Sequence, residues 1–300
     1  MAPDGPKWTI SDMNILVCTD GSTGSLAILP HAARLARALG ARIVLSRVLD
    51  PRVDAGDTVT PRLEDAVARV KDEWSDWLRQ TLAREGIEGE VLIPEREWGK
   101  EIADAISDAA EETSAAIVAV SSRGAGAIRH ALFGSVALGI ISRADLPVLT
   151  LAGSHPAKAG AGAYHIVITS DGSPDSRSIF GGLENLLVPG KTRVTLLEVV
   201  TMKAQETEAE AQARALPYLE SLRSRIPGGV EVAIVAKAAP ASSRVDSVIV
   251  QAAKEFGADA IASSTHGHSA RRHLVAGSTA LGMVEKAGMP VILVKSQPVD

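Results

Sequence analysis

Two short stretches of this chain carry residue types suited to sugar and anion recognition, and each stretch occurs twice. Asn14-Ile15-Leu16-Val17-Cys18-Thr19-Asp20-Gly21-Ser22 is echoed by His165-Ile166-Val167-Ile168-Thr169-Ser170-Asp171-Gly172-Ser173. In both, an aspartate closes an apolar run. A carboxylate in that place accepts hydrogen bonds in pairs and can hold a ribose hydroxyl or an adenine amine. The plainer reading of Asp-Gly-Ser is a turn with a helix N-cap, which Asp and Ser favour anyway. The second stretch reads Ser121-Ser122-Arg123-Gly124, nine residues, then Gly134-Ser135. Its echo is Ser264-Thr265-His266-Gly267, nine residues, then Gly277-Ser278. Glycine lets backbone approach phosphate oxygens with no Cβ in the way. If Gly134 and Gly277 open helices, the free amides and the helix dipole favour an anion there. The serines add a donor each, and Val136 and Thr279 follow them in the same turn. Arg123 and Arg129 in the first copy, with Arg271 and Arg272 in the second, can balance phosphate charge. A loop that only joins strand to helix is the alternative.

The elements that would position these residues repeat as well. Arg42-Ile43-Val44-Leu45 through Val48 matches Arg193-Val194-Thr195-Leu196 through Val199 at the spacing that relates Asp20 to Asp171. Leu146-Pro147-Val148 matches Met289-Pro290-Val291 at the shorter spacing of the glycine loops. This is domain duplication, not a solenoid. The expected limits are a tail at 1–11, a first domain at 12–152, a Gly/Ala-rich linker at 153–162 and a second domain at 163–296.

Each copy reads as β-α-β-α-β-α-β-α-β. Ile15–Cys18, Ile43–Leu45, Val91–Ile93, Ala116–Val120 and Val148–Leu151 are short apolar runs, as in strands covered on both faces. The second copy's strands centre on Val167, Leu196, Val232, Ile261 and Ile292. Apolar periodicity predicts a helix from Ser25 to Leu39, kinked at Pro30 and ended by Gly40. It predicts another from Pro61 to Glu85, with Trp74 and Trp77 in the core. A third spans Ile102–Ala110, and Val136–Ile141 lies in a fourth. Pro174 sits just inside the second copy's first helix. The fold class is α/β: two tandem Rossmann-like domains, each an open five-stranded, mostly parallel sheet with helices on both faces. Ligands of such sheets sit beyond the carboxyl ends of the strands, where both aspartates and both glycine loops fall.

Composition removes several other classes. The net charge of −5 and the absence of a basic stripe argue against nucleic-acid binding. One cysteine, Cys18, excludes an internal disulfide framework and any multi-cysteine metal site; within its apolar run it reads as a buried thiol. No apolar stretch reaches the length of a membrane span. Met1 to Lys7 lacks the order of a signal peptide, so a cytoplasmic location is expected. There is no Gly-x4-Gly-Lys-(Ser/Thr) loop. His266, His268 and His273 occur together in one copy only and read as a solvated loop, so no metal site is expected.

The aspartate after the first strand, joined to Gly-x2-Gly-x9-Gly-Ser after the fourth, resembles the ATP-binding type of the universal stress protein family. The resemblance covers nearly the whole chain, once per domain. It implies an ATP-binding regulatory protein of stress adaptation, with one nucleotide per domain. The sequence offers no clear general base near the glycine loops, so hydrolysis is expected to be slow at most. The resemblance implies that Asp20 and Asp171 contact the nucleotide, and that Val48 and Val199 lie near the adenine. Ser121, Arg123, Gly124, Gly134, Ser135 and Val136 would form the first phosphate loop, and Ser264, His266, Gly267, Gly277, Ser278 and Thr279 the second. The first glycine of the family pattern is serine in both copies, Ser121 and Ser264. A requirement for positive φ there would strain serine; a requirement for smallness alone would not. Mg²⁺ is left open as a companion of the phosphates, because no carboxylate set is diagnostic for it. The family's last strand pairs two domains, so the two copies are expected to pair through Val148–Leu151 and Val291–Val294; further homodimerisation is left open. The rival reading is a protein-interaction module with a vestigial nucleotide site.

Overall fold

The computed structural model of the chain describes residues 13–54, 63–122, 133–160, 162–265 and 277–296. The first half runs β1 (Asn14–Cys18), α1 (Thr23–Leu26), α2 (Leu29–Leu39), β2 (Arg42–Ser46), α3 (Pro51–Asp54), α4 (Leu63–Arg84), β3 (Gly89–Leu92), α5 (Ile102–Glu112), β4 (Ala115–Ser121), α6 (Ser135–Arg143) and β5 (Val148–Leu151). The second half runs β6 (Tyr164–Ser170), α7 (Pro174–Arg177), α8 (Ile179–Leu183), β7 (Thr192–Thr201), α9 (Glu208–Arg223), β8 (Glu231–Ala239), α10 (Val245–Glu255), β9 (Ala260–Ser264), α11 (Ser278–Lys286) and β10 (Val291–Val294).

Strand order in the sheet is β3-β2-β1-β4-β5-β10-β9-β6-β7-β8. Within each half every pairing is parallel, and the order reverses between β1 and β4, and between β6 and β9. The halves meet at β5 and β10, which pair antiparallel with Leu149 opposite Ile292. Both strands are buried throughout. The apolar strand runs follow from this architecture, since Ile15, Leu16 and Val17 are covered from both faces. One core lies under α2, α4, α8 and α9, the other under α5, α6, α10 and α11, and each draws residues from both halves.

Two expectations change. The helix predicted over Ser25–Leu39 is two helices, with Ala27 and Ile28 between them. Pro30 lies in the first turn of α2, where its missing N–H has no helical acceptor to lose. The proline therefore begins a helix instead of kinking one, and Gly40 ends it at φ 74°. Trp74 and Trp77 are only half-buried. Trp77 packs against the core, while Trp74 carries the Arg47 guanidinium 3.5 Å above its ring.

The seam is polar on one side. Arg34 of α2 donates through Nη2 to the carbonyls of Gly162 and Ala163, and pairs with Asp259 of the second half at 3.4 Å. Both side chains are buried. Leu149→Lys would place a charge in the covered β5–β10 pair. It is expected to cost at least as much as a buried Leu→Ala change, about 2–5 kcal/mol. Urea unfolding checks this, and an unchanged midpoint would mean that the strand is not covered in solution.

Candidate functional site

Each half has a cleft beyond the carboxyl ends of its strands, at the point where strand order reverses. In the first half, Asp20, Val48, Ser121, Gly134 and Val136 line a cavity of about 130 Å³. In the second, Asp171, Val199, Ser264, Gly277, Ser278 and Thr279 line one of about 100 Å³. The exposed Ser135 stands at the first position of α6, beside Gly134. Arg123, Gly124, His266 and Gly267 lie outside the described residues, as do Arg129, Arg271, Arg272, His268 and His273.

The aspartates first serve the chain itself. Asp20 Oδ1 accepts from the Ser22 amide at 2.9 Å, and Ser22 caps α1 by accepting from the Ser25 amide. Asp171 Oδ1 accepts from the amide and hydroxyl of Ser173, which in turn accepts from the Ser176 amide. Gly21 at φ 89° and Gly172 at φ 78° permit the tight bend. The turn-and-cap reading of Asp-Gly-Ser is therefore realised in both halves. It holds each carboxylate at the mouth of its cleft, exposed.

The serines that replace glycine carry no strain. Ser121 and Ser264 end β4 and β9, and neither is among the residues of positive φ. Ser121 Oγ donates to the Ser25 carbonyl at 3.1 Å, tying β4 to the turn after β1.

Gly134 and Gly277 differ from the turn glycines. They are the N-cap residues of α6 and α11, at φ −72° and −66°, which any residue adopts. A Cβ on Gly134 would come no nearer than 3.9 Å to the Ser122 carbonyl, and one on Gly277 no nearer than 3.5 Å to the Thr265 carbonyl. Their own amides donate to those carbonyls at 2.7 and 2.6 Å. The amides of the next turn have no helical acceptor and face outward from the helix start. Neither dihedral angle nor crowding by the described residues requires glycine here.

The cleft walls include residues that spacing alone did not single out. Ser46 and Ser122 line the first cleft with hydroxyls that are buried and have no partner among the described residues. Both end or follow apolar strands, the only signal available for them. Cys18 also lines it; burial pushes its thiol up to about 12, so it stays protonated. Arg47, beyond β2, packs its guanidinium against Gly21, and its counterpart Glu198 approaches Gly172. Among the described residues the two mouths therefore differ in charge.

Helices that frame the clefts are held as pairs. Gly139 of α6 lets it approach Ala103 of α5, and Gly282 of α11 lets it approach Asp246 of α10. Asp246 accepts from Lys286 at 2.6 Å and from Arg244 at 3.1 Å. Burial alone would raise its carboxyl, but the Arg244 and Lys286 bonds outweigh that and lower it to about 2. In the first half, Arg143 of α6 reaches Glu101 at 2.6 Å across an exposed surface.

The universal stress protein family model matches the chain twice, over residues 13–151 and 164–295. No curated protein matches it. Among solved structures, a universal stress protein from Archaeoglobus fulgidus DSM 4304 is similar over 96% of this chain and 97% of its own, with 18% identity and a TM-score of 0.64. A functionally unknown protein from Pseudomonas aeruginosa PAO1 is similar over 94% and 92%, with 14% identity and a TM-score of 0.55. At these identities the likeness is one of fold. A universal stress protein in complex with cAMP aligns with 47% of this chain and 98% of its own, at 21% identity and a TM-score of 0.32. No described helix is long and apolar enough to cross a membrane.

The lowered Asp246 carboxyl links stability to pH. Its contribution is complete above the unfolded value near 3.8 and is lost as pH falls towards 2. At pH 7, Asp246→Asn is expected to cost up to about 2 kcal/mol. The gap to wild type closes on acidification, which urea midpoints at pH 7 and pH 3 measure. Gly282→Ala is expected to destabilise too, because its methyl would displace Asp246.

Proposed function

Because the chain belongs to the universal stress protein family, with one copy in each half, we propose that it is a nucleotide-dependent regulatory switch of the stress response. Each half takes one adenine nucleotide, ATP in the first instance. Asp20 and Asp171 accept hydrogen bonds from the sugar or base, and Val48 and Val199 give the base an apolar wall. The first amides of α6 and α11 take the phosphates, aided by Ser135 and Ser278. Ser121, Val136, Ser264 and Thr279 complete the walls, and Arg123, Gly124, His266 and Gly267 the loops.

The observation that carries this reading is the unexplained pair of glycines. A Cβ on Gly134 or Gly277 would meet no described atom nearer than 3.5 Å, and in this reading a longer side chain there would fill the space that the phosphates take in front of the helix amides. The buried Ser46 and Ser122 hydroxyls, unpartnered among the described residues, fit a polar ligand in the first cleft. The described walls enclose less than the roughly 300 Å³ of a small-molecule pocket, so much of a nucleotide would lie outside them. Asp20, Asp171 and a protonated Cys18 are the titratable groups among the described lining residues. None is a ready general base beside the helix amides, so hydrolysis would be slow at most. Mg²⁺ would have to be held by the phosphates and water.

An interaction module with a vestigial site is the competing reading. Trp98, stacked by Arg52, and Val53 are exposed apolar groups on the first half that a partner would cover. Calorimetry separates the two. Wild type is expected to bind about two ATP per chain and to release adenine nucleotide on denaturation. Asp20→Asn/Asp171→Asn keeps the acceptor oxygen of each turn and removes the charge. Gly134→Val/Gly277→Val keeps the backbone and fills the space. Each pair is expected to weaken binding at least tenfold, about 1.4 kcal/mol, with unfolding midpoints near wild type. No carried nucleotide and no heat at millimolar ATP would leave the interaction module standing.

A further inference from the structure

A cavity of about 400 Å³ lies on the seam between the halves, at the amino ends of β6, β9 and β10. It shares no lining residue with either cleft. His31 and Arg34 come from α2, His155 and Lys158 from the linker, and Lys254 and Asp259 from the end of α10 and beyond. Its size is that of a metabolite pocket, about 300–1,000 Å³.

The duplication supplies a comparison within the molecule. A sister cavity of about 370 Å³ lies at the corresponding place in the other half, lined by Met13, Glu111, Ala116 and Asn185. By the repeat spacing these correspond to Tyr164, Lys254, Asp259 and Arg34. The sister lining holds Glu111 and Asp145 against Arg143. The seam lining holds Arg34, Lys158, Lys254 and Lys286 against Asp259 and Glu285. The two cavities are alike in form and opposite in sign.

Two of those cations are already matched, Arg34 with Asp259 and Lys286 with Asp246. Lys158 and Lys254 have no carboxylate partner among the described residues. Lys158 Nζ donates to the Gly257 and Ala258 carbonyls, both at 2.5 Å. Those bonds fix its ammonium in the cavity wall without neutralising it. Arg34 Nε and Nη1 are buried and have no acceptor among the described residues. His31 is buried, and its Nε2–H donates to the His155 carbonyl, leaving the His155 ring at the cavity edge.

We propose that the seam cavity is a second ligand site, one that takes a small molecule through a phosphate or carboxylate group, with Lys158 and Lys254 as the charge partners. Oxyanions are the shared chemistry, and two probes distinguish their sources: inorganic phosphate and succinate, each titrated by calorimetry into the full chain at low salt. In Gly134→Val/Gly277→Val, which fills the space in front of the α6 and α11 amides, one saturable site per chain is expected for at least one probe. Binding of phosphate alone assigns a phosphoryl ligand, and of succinate alone a carboxylate ligand. Affinity is expected to persist in Asp20→Asn/Asp171→Asn and to fall at least tenfold in Lys158→Gln/Lys254→Glu. Lys254→Glu alone, which copies the sister cavity's Glu111, is expected to fall in the same direction without altering the unfolding midpoint. Overturning results are no saturable heat with either probe at millimolar concentration, binding lost with the two aspartates, or binding indifferent to both lysines.

Discussion

A strand whose two faces are apolar and whose amides are open along one edge cannot be left against water. β5 and β10 are such strands, four residues each and buried throughout. Their mutual pairing answers both edges at once. It is the one antiparallel step in a sheet whose other pairings are parallel. It therefore points the carboxyl ends of the two halves' strands, and the clefts beyond them, in opposite directions. It also brings α2 of one half against β6 of the other, where Arg34 finds Asp259.

Much of this was legible in the chain because duplication wrote each signal twice. The apolar runs of β1, β2, β4 and β5 are continuous because the sheet is covered on both faces, and periodicity finds such runs. Pro30 was misread because its residue type does not say whether it interrupts a helix or begins one; that depends on where the preceding turn closes. Trp74 sits at a core-like helical position, yet its ring serves as a platform for Arg47, which arrives from a distant strand. In the cleft, Asp20 and Gly134 were legible by spacing, whereas Ser46 and Ser122 were not. A serine at a strand end carries no pattern of its own, and only strand order brings those two together. Arg34 and Asp259 are farther apart still, and no local pattern could pair them.

In the Asp-Gly-Ser turn the aspartate meets a structural demand while its carboxylate stays exposed at the cleft. One carboxylate oxygen fixes the turn, and that bond aims the group across the cleft mouth. The glycines divide the same way. Gly21 and Gly172 are needed by the backbone at positive φ, Gly139 and Gly282 by the helix beside them. Gly134 and Gly277 meet neither need among the described residues, and so stand apart from the other two pairs.

In an assembly of two identical copies, every substitution at a shared seam appears twice, once on each side of the two-fold axis. Covalent duplication removes that restriction, and the Arg34–Asp259 pair records its removal. Their counterparts are Asn185 and Ala116, so neither charge has an equivalent in the other half. Two first halves brought together would bury Arg34 against Ala116, with no carboxylate to receive it. Two second halves would set Asp259 against Asn185. A buried charge without its partner is costly, so the Arg34–Asp259 pair is made only where the first half meets the second. The chain is in effect a heterodimer carried on one polypeptide, in which each half is free to change without forcing the same change on its neighbour.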